Sequence, residues 1–136
     1  MRILIVLTYF QPHKSGLTVY AVRQARALAS LGHEVTVLTS QYDPDLPLEA
    51  WEQGVRIIRL PVAFRLSKGV IMPKIPITAW QLIQHSDIIN LHVPQVDAAL
   101  VALLAKLQKK PVVLTYHCDL KMPDGVINQV AGWAAM

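Results

Sequence analysis

The sequence predicts an α/β fold, a single domain over residues 1–136 in which helices flank a doubly wound parallel sheet. Three observations predict it. A strand, a helix and a second strand follow one another within residues 2–40, and strand-like and helical patterns alternate again after residue 55. The chain is also 53% apolar with a mean hydropathy of +0.36, as expected for strands buried on both faces.

The first part of the chain predicts one strand–helix–strand unit. Residues 2–8 form a short, continuous apolar run typical of a central strand, and residues 34–40 form a second one. A helix is predicted between them over residues 17–32, with Gly32 as its left-handed cap. The apolar face of this helix is formed by Leu17, Ala21, Ala25 and Leu28. Its basic face is formed by Arg23 and Arg26. A right-handed crossover then makes the two strands parallel neighbours.

The rest of the chain continues this alternation. Further strands are predicted over residues 55–60, 87–92 and 112–117. Further helices are predicted near residues 78–84, over 96–110 and over 124–136. The five strands should lie in the order 3-2-1-4-5, which puts the ligand crevice at the carboxyl ends of strands one and four.

The composition indicates where in the cell the protein is located. The single cysteine excludes an internal disulfide framework, so we expect a reducing, cytoplasmic location. The first residues imitate a short signal peptide but lack a small-residue cleavage site, and a first strand explains them as well. No run approaches the roughly 20 apolar residues of a membrane span.

The net charge of +4 is unevenly distributed. Residues 1–33 and 53–86 are basic and contain no carboxylate, which favours phosphates or acidic lipid as partners. Few aromatic residues lie among the basic ones, so no nucleic acid is expected. Residues 64–76 mix basic and apolar side chains, Arg65, Lys68 and Lys74 with Val70, Ile71 and Met72. Peripheral contact with an anionic membrane is one interpretation of this segment, and an ordinary mobile loop is the other.

The last predicted strand runs into His117, Cys118 and Asp119. A metal site, thiol chemistry, a strand cap and the lip of a substrate cleft are the four hypotheses. Adjacent side chains of an extended backbone point in opposite directions, and no second pair of ligands follows, so no metal is expected. A nucleophilic Cys118 would need a well-placed base, and Asp119 most simply caps a turn.

Gly16 opens the first predicted helix. Free amides and the positive end of the helix dipole make this position suitable for an anion, although a glycine there also serves a tight turn. The loop before it contains neither a dinucleotide fingerprint nor a phosphate-binding P-loop motif. A nicotinamide-dependent dehydrogenase is therefore not predicted.

Three motifs, in order, resemble the N-terminal domain of glycosyltransferase family 4 (group 1) enzymes. They are "YFQPHKSGLTVYAVRQARALASLGHEVTVLT", "DIINLHVP" and "KPVVLTYHCDL". The resemblance implies one half of a GT-B architecture, in which two Rossmann-like domains face each other. It also implies transfer of a sugar from a nucleotide-sugar donor with retention and without a further cofactor, the N-terminal domain chiefly holding the acceptor.

The resemblance assigns roles to seven residues. His117 matches the catalytic histidine placed against the transferred sugar, and Gly16, with Ser15, matches the loop that approaches the donor diphosphate. The residues that it places on the acceptor side are Lys14, Asn90, His92 and Asp119. Two positions depart from the family pattern, because Ser15 replaces a glycine and Asn90 replaces a histidine.

The donor-binding C-terminal domain of that family has no counterpart in these residues, so we expect an N-terminal fragment that is inactive alone. The expected partners are a nucleotide-sugar and a glycan or lipid-linked acceptor, in cell-envelope polysaccharide biosynthesis. Val130, Trp133 and Met136 would promote self-association. The alternatives are a phosphate- or nucleotide-binding module without catalysis and a GT-B nucleotide-sugar epimerase.

Overall fold

A computed structural model describes residues 1–10, 16–66, 69–93 and 98–116, and the structural statements below concern these residues. Three helices are α1 Gly16–Ser30, α2 Ile75–Gln84 and α3 Ala98–Leu107. The strands are β1 Arg2–Val6, β2 Glu34–Gln41, β3 Glu49–Glu52, β4 Val55–Pro61, β5 Phe64–Leu66, β6 Gly69–Ile71, β7 Ile88–Val93 and β8 Val112–Tyr116. The helix predicted over residues 124–136 lies outside the described residues.

The main sheet has six strands in the order β3-β4-β2-β1-β7-β8. Its neighbours from β4 to β8 are all parallel, and β3 pairs antiparallel with β4. The predicted strands correspond to β1, β2, β4, β7 and β8, so the predicted order and the doubly wound parallel sheet are confirmed. This order puts the switch point between β1 and β7, where the connections leave in opposite directions.

Alternate residues of β1 enter two different apolar clusters. Ile3 and Ile5 pack with Ala21 and Ala25 of α1 on one face of the sheet. Leu4 and its neighbours on the other face pack against α2 and α3. A strand buried on both faces needs apolar side chains at every position, and this is why β1 reads as a continuous apolar run.

The end of α1 follows the predicted capping geometry. Gly32 has φ +94, and its backbone amide donates to the carbonyl of Ala29 at 3.0 Å. The amide of His33 donates to the carbonyl of Leu28 at 3.2 Å. Gly32 adopts this left-handed conformation without the cost that a Cβ would add, so the sharp return into β2 depends on it.

Three strands were not predicted, β3, β5 and β6, and all lie between predicted strands. β3 covers the outer edge of β4, and the guanidinium of Arg56 binds the carboxylate of Glu49 at 2.8 Å across this pair. The segment before α2 contains the antiparallel hairpin β5–β6 instead of a plain loop. α2 also begins earlier than predicted, at Ile75, since the proline that follows is tolerated in a first turn.

One side chain of the predicted lipid-contacting segment lies elsewhere. Met72 is 2% exposed and packs in the cluster beneath α2 and α3, so its assignment to a membrane-facing surface was wrong. Ile71 is half-buried and Lys74 is exposed. Side chains of residues 64–70 lie outside the described part.

A charged link fixes the amino end of β1 to the turn before β7. The backbone amide of Arg2 donates to Oδ2 of Asp87 at 2.7 Å, and its guanidinium Nη2 lies 3.4 Å from Oδ1. In return, the amide of Asp87 donates to the carbonyl of Arg2 at 2.8 Å. The backbone hydrogen bond first, and then the side-chain one, lower the pKa of Asp87 below its usual value of 3.8.

This link predicts an acid-sensitive contribution to stability. A carboxyl whose folded-state pKa is lowered stabilises the fold above its unfolded-state pKa, and the contribution is lost as pH falls through the folded-state value. We therefore expect Asp87→Asn to lower the free energy of unfolding at neutral pH and to match the wild type in strong acid. Urea unfolding across pH measures this, with exposed Asp45→Asn as control. A loss that is equal at every pH would contradict it.

Candidate functional site

The carboxyl ends of the parallel strands meet along one edge of the sheet. Among the predicted site residues, the structure describes Gly16, Asn90 and His92 at this edge. Lys14, Ser15, His117, Cys118 and Asp119 lie outside the described residues, so their predicted roles stay predictions. The site below is built from the residues around β1, β7 and the first turns of α1.

The end of β1 is tied down by side chains of β2. The carbonyl of Thr8 accepts hydrogen bonds from the hydroxyls of Thr39, at 3.0 Å, and of Ser40. The backbone amide of Ser40 donates to the same carbonyl at 3.2 Å. Three donors on one carbonyl hold the chain in place where it leaves the sheet towards α1.

α1 begins at Gly16, as the predicted anion-binding position requires. The hydroxyl of Thr18 donates to the carbonyl of Tyr9 at 3.4 Å, which ties the first turn to the residues that follow β1. Thr18 is 2% exposed, and the first turn carries no acidic side chain. The amino end of this helix therefore lies at the carboxyl edge, where its dipole favours negative charge.

His92 lies near the end of β7, on the α1 face of the sheet. It is 1% exposed, and its Nε2 is 3.1 Å from Oε1 of Gln24 on α1. The ring of Tyr20, one helical turn before Gln24, meets the imidazole edge to face with centroids 6.1 Å apart. The hydrogen bond to Gln24 and the contact with Tyr20 together hold the imidazole of His92 in one orientation.

Asn90 lies two residues before His92 and therefore on the same face of β7. Its Oδ1 accepts a hydrogen bond from the hydroxyl of Thr115 on β8 at 3.0 Å. Thr115 is also the cross-strand partner of His92. The structure thus brings together Asn90 and His92, two of the four predicted acceptor-side residues, and adds Thr115 to them.

A buried arginine lies on the same face, farther along the sheet. Arg59 of β4 is 3% exposed, and its Nη1 donates to the carbonyl of Pro47 at 3.1 Å. Its backbone amide donates to the carbonyl of Leu48 at 2.8 Å. Burial makes a guanidinium costly unless its donors are used, so Arg59 fixes the segment that leads into β3.

The arrangement is a hydrogen-bonded polar cluster that lies buried behind an exposed aromatic ring. It combines an imidazole of fixed orientation, two neutral polar groups and a tyrosine ring that is half exposed to solvent. Hydroxyl-rich molecules with apolar ring faces suit such a surface. Within the described ranges, no group of three His, Cys, Asp or Glu side chains is arranged to hold a metal ion.

Sequence comparison identifies the family. Residues 15–136 match the model of a family described as "Glycosyl transferase 4-like domain". The chain belongs to this family. His92, Asn90 and the start of α1 all lie within the matched range. No curated protein matches the sequence of this chain.

Solved structures support the fold of the glycosyl transferase 4-like domain. A sucrose-phosphate synthase from Thermosynechococcus elongatus matches with a TM-score of 0.59 at 15% identity, over 98% of this chain and 38% of that one. A second structure of a sucrose-phosphate synthase from that organism matches with a TM-score of 0.55 at 18% identity, over 96% and 68% of the two chains. At these identities the likeness concerns the fold, which is that of a Rossmann-like GT-B half. The chain spans about 38% of the length of the first of these structures.

Sequence reasoning missed three polar contributors to this site, Gln24, Thr115 and Tyr20. Gln24 and His92 are 68 residues apart, so no local pattern links them. The burial of Arg59 could have been predicted from the sequence. Arg59 follows Val55 and Ile57 at alternate positions of a strand, so its side chain shares their buried face.

Proposed function

We propose that this domain is the acceptor-side half of a retaining glycosyltransferase, which moves a sugar from a nucleotide-sugar to a polysaccharide or lipid-linked acceptor. The observation that carries the proposal is the polar group around His92 at the switch point, in a domain of the glycosyl transferase 4-like family. A second domain would close the cleft from the other side and supply the nucleotide pocket.

The acceptor would lie against β7 and the first turns of α1. Tyr20 would contact the apolar face of an acceptor sugar, while the buried Asn90 and His92 would hold this face of β7 in position behind it. Lys14 and Asp119 would lie on the same side.

The donor would approach from the α1 terminus and the end of β8. Backbone amides at Gly16, with the neighbouring Ser15, would meet the diphosphate, whose charge the helix dipole stabilises. His117 follows the last described residue of β8 and would face the transferred sugar, where positive charge develops as the bond to the diphosphate breaks. No further cofactor enters this proposal.

The cellular setting follows from the same proposal. Nucleotide-sugars are expected on the cytoplasmic side of the membrane, where cell-envelope polysaccharides begin. No described helix has both the length and the apolar character needed to cross a bilayer. Contact of residues 64–76 with the inner membrane face stays a proposal that now depends on Lys74 and on side chains outside the described part. Self-association through residues 124–136 is likewise a proposal.

The activity is tested with the enzyme that carries both halves. Incubation with radiolabelled nucleotide-sugars and membrane or glycan extracts should transfer label to an acceptor and release the nucleoside diphosphate. Conversion of one nucleotide-sugar into its epimer, without transfer, would favour the epimerase. Binding without either reaction would favour a sensing module, and both results would contradict the proposal.

The contact between Gln24 and His92 gives a specific expectation for this activity. Gln24→Leu removes the hydrogen-bond partner of the buried imidazole of His92, which should lower the free energy of unfolding by about 1–2 kcal/mol. It should also raise KM for the acceptor several-fold and leave KM for the donor unchanged. Urea unfolding and initial rates at varied concentration of each substrate measure the two effects.

Two variants control this experiment. Gln24→Glu retains an oxygen acceptor and should restore much of the lost acceptor affinity, whereas exposed Arg23→Gln, the preceding residue, should behave as wild type. A rise in the donor KM alone would contradict the assignment of this face to the acceptor.

A further inference from the structure

The outer surface of the α2–α3 layer carries apolar side chains that the fold leaves uncovered. Ile77 and Trp80 of α2 are 68% and 40% exposed, and Leu103 and Leu107 of α3 are 51% and 63% exposed. Each pair is three or four residues apart and therefore shares one face of its helix. The side-chain amide of Gln108 donates to the carbonyl of Trp80 at 3.0 Å, which joins the two helices. We call these four apolar residues the α2–α3 strip.

Basic residues flank the strip in sequence. Lys74 precedes α2, Lys106 lies in the last turn of α3, and Lys109 and Lys110 follow that helix. Residues 74–86 and 98–110 contain no aspartate or glutamate. Asp87 and Asp97 lie next to these ranges in sequence, and Asp87 is bound to Arg2. Helices that carry positive charge and no carboxylate of their own differ from an ordinary solvated helix face, where both signs alternate.

Helices that are apolar on most sides are normally covered. α3 places Val101 and Ala105 in the core, yet also points Leu103 and Leu107 outward. Exposed apolar patches with a polar rim mark interaction sites. The charge of the rim indicates the kind of partner: it must be anionic, and it must tolerate insertion of apolar side chains.

We propose that the α2–α3 strip binds the surface of an anionic lipid bilayer. Its apolar side chains would enter the interfacial region while the bordering lysines contact anionic headgroups. Both helices are ten residues long, which suits lying in the plane of the interface and excludes crossing it. This inference goes beyond the proposed transferase activity and does not depend on it.

A second copy of the chain fits the strip less well. Pairing two such surfaces would bring the lysines of both copies close together with no described carboxylate on either helix to separate them. Trp51 offers a contrast within the same molecule. It is 67% exposed, but it lies on β3 between Glu49 and Glu52, where an anionic surface would be repelled.

Vesicle co-sedimentation tests the proposal. The protein should sediment with vesicles of phosphatidylcholine and phosphatidylglycerol at low salt, and much less with phosphatidylcholine alone. Added salt should weaken the binding. Leu103→Gln with Leu107→Gln should reduce the affinity at least about tenfold, from the lost apolar burial. Lys106→Gln with Lys109→Gln should reduce it about fivefold per lysine, on anionic vesicles only.

The control is Trp51→Gln, which removes an equally exposed apolar side chain from an acidic edge and should leave the affinity unchanged. Thermal unfolding followed by circular dichroism shows that each variant is folded. Equal binding to neutral and anionic vesicles would overturn the proposal, as would leucine variants that sediment like the wild type. Leucine variants that turn a dimer into a monomer without changing vesicle binding would assign the strip to a second copy.

Discussion

Replacing His117 by alanine should lower kcat of the two-domain enzyme by about a hundredfold to a thousandfold. A polar contact at the developing oxocarbenium-like centre acts mainly in the transition state and is worth a few kcal/mol there. Because the side chain follows the edge strand β8 and lies at the rim of the cleft in this proposal, the fold should persist. Initial rates and thermal unfolding measure the two expectations.

The neighbouring cysteine supplies the control. Cys118→Ser changes one atom of the adjacent side chain, to which the proposal gives no role, and should leave kcat nearly unchanged. If Cys118→Ser were the more damaging variant, the thiol would carry the chemistry and the assignment of His117 would be wrong.

The second large effect concerns the scaffold beneath the acceptor site. Leu91 lies between Asn90 and His92 on β7 and is fully buried on the opposite face of the sheet. Leu91→Ala should lower the free energy of unfolding by about 3 kcal/mol, the sum of lost burial and a cavity that the packed layer cannot close. Urea unfolding measures it.

Leu103→Ala is the matched control for this experiment. It removes the same atoms from a position that is half exposed, and it should cost about 0.5 kcal/mol or less. Equal losses in the two variants would mean that α3 is covered in solution or that β7 is not central to the core.

The central strands were predictable because burial on both faces leaves one type of residue at every position. Ile3 and Leu4 face different clusters, and both must be apolar, so a continuous apolar run is expected in β1. The connections of β1 to α1 and β2 then constrained the strand order, since a right-handed crossover permits few arrangements.

The missed elements depend on partners distant in sequence. β3 contains two glutamates in four residues and forms because β4 offers an edge, with Arg56 opposite Trp51 and bound to Glu49. The sequence pattern did not predict that Met72 packs in the core, because apolar residues in a proline-rich segment follow no regular helical or strand period. The bond between Gln24 and His92 likewise appears only when α1 is packed on β7.

The central claim is that this domain holds the acceptor and that the donor pocket lies elsewhere. Calorimetric titration of the 136-residue chain with nucleoside diphosphates tests this claim most directly. The helix terminus at Gly16 alone should bind the diphosphate weakly, with Kd near millimolar, or roughly 4 kcal/mol. Circular dichroism before titration shows whether the chain is folded, as a complete parallel sheet predicts. Micromolar binding by this chain, or sugar transfer without a second domain, would place the donor site here and contradict the account.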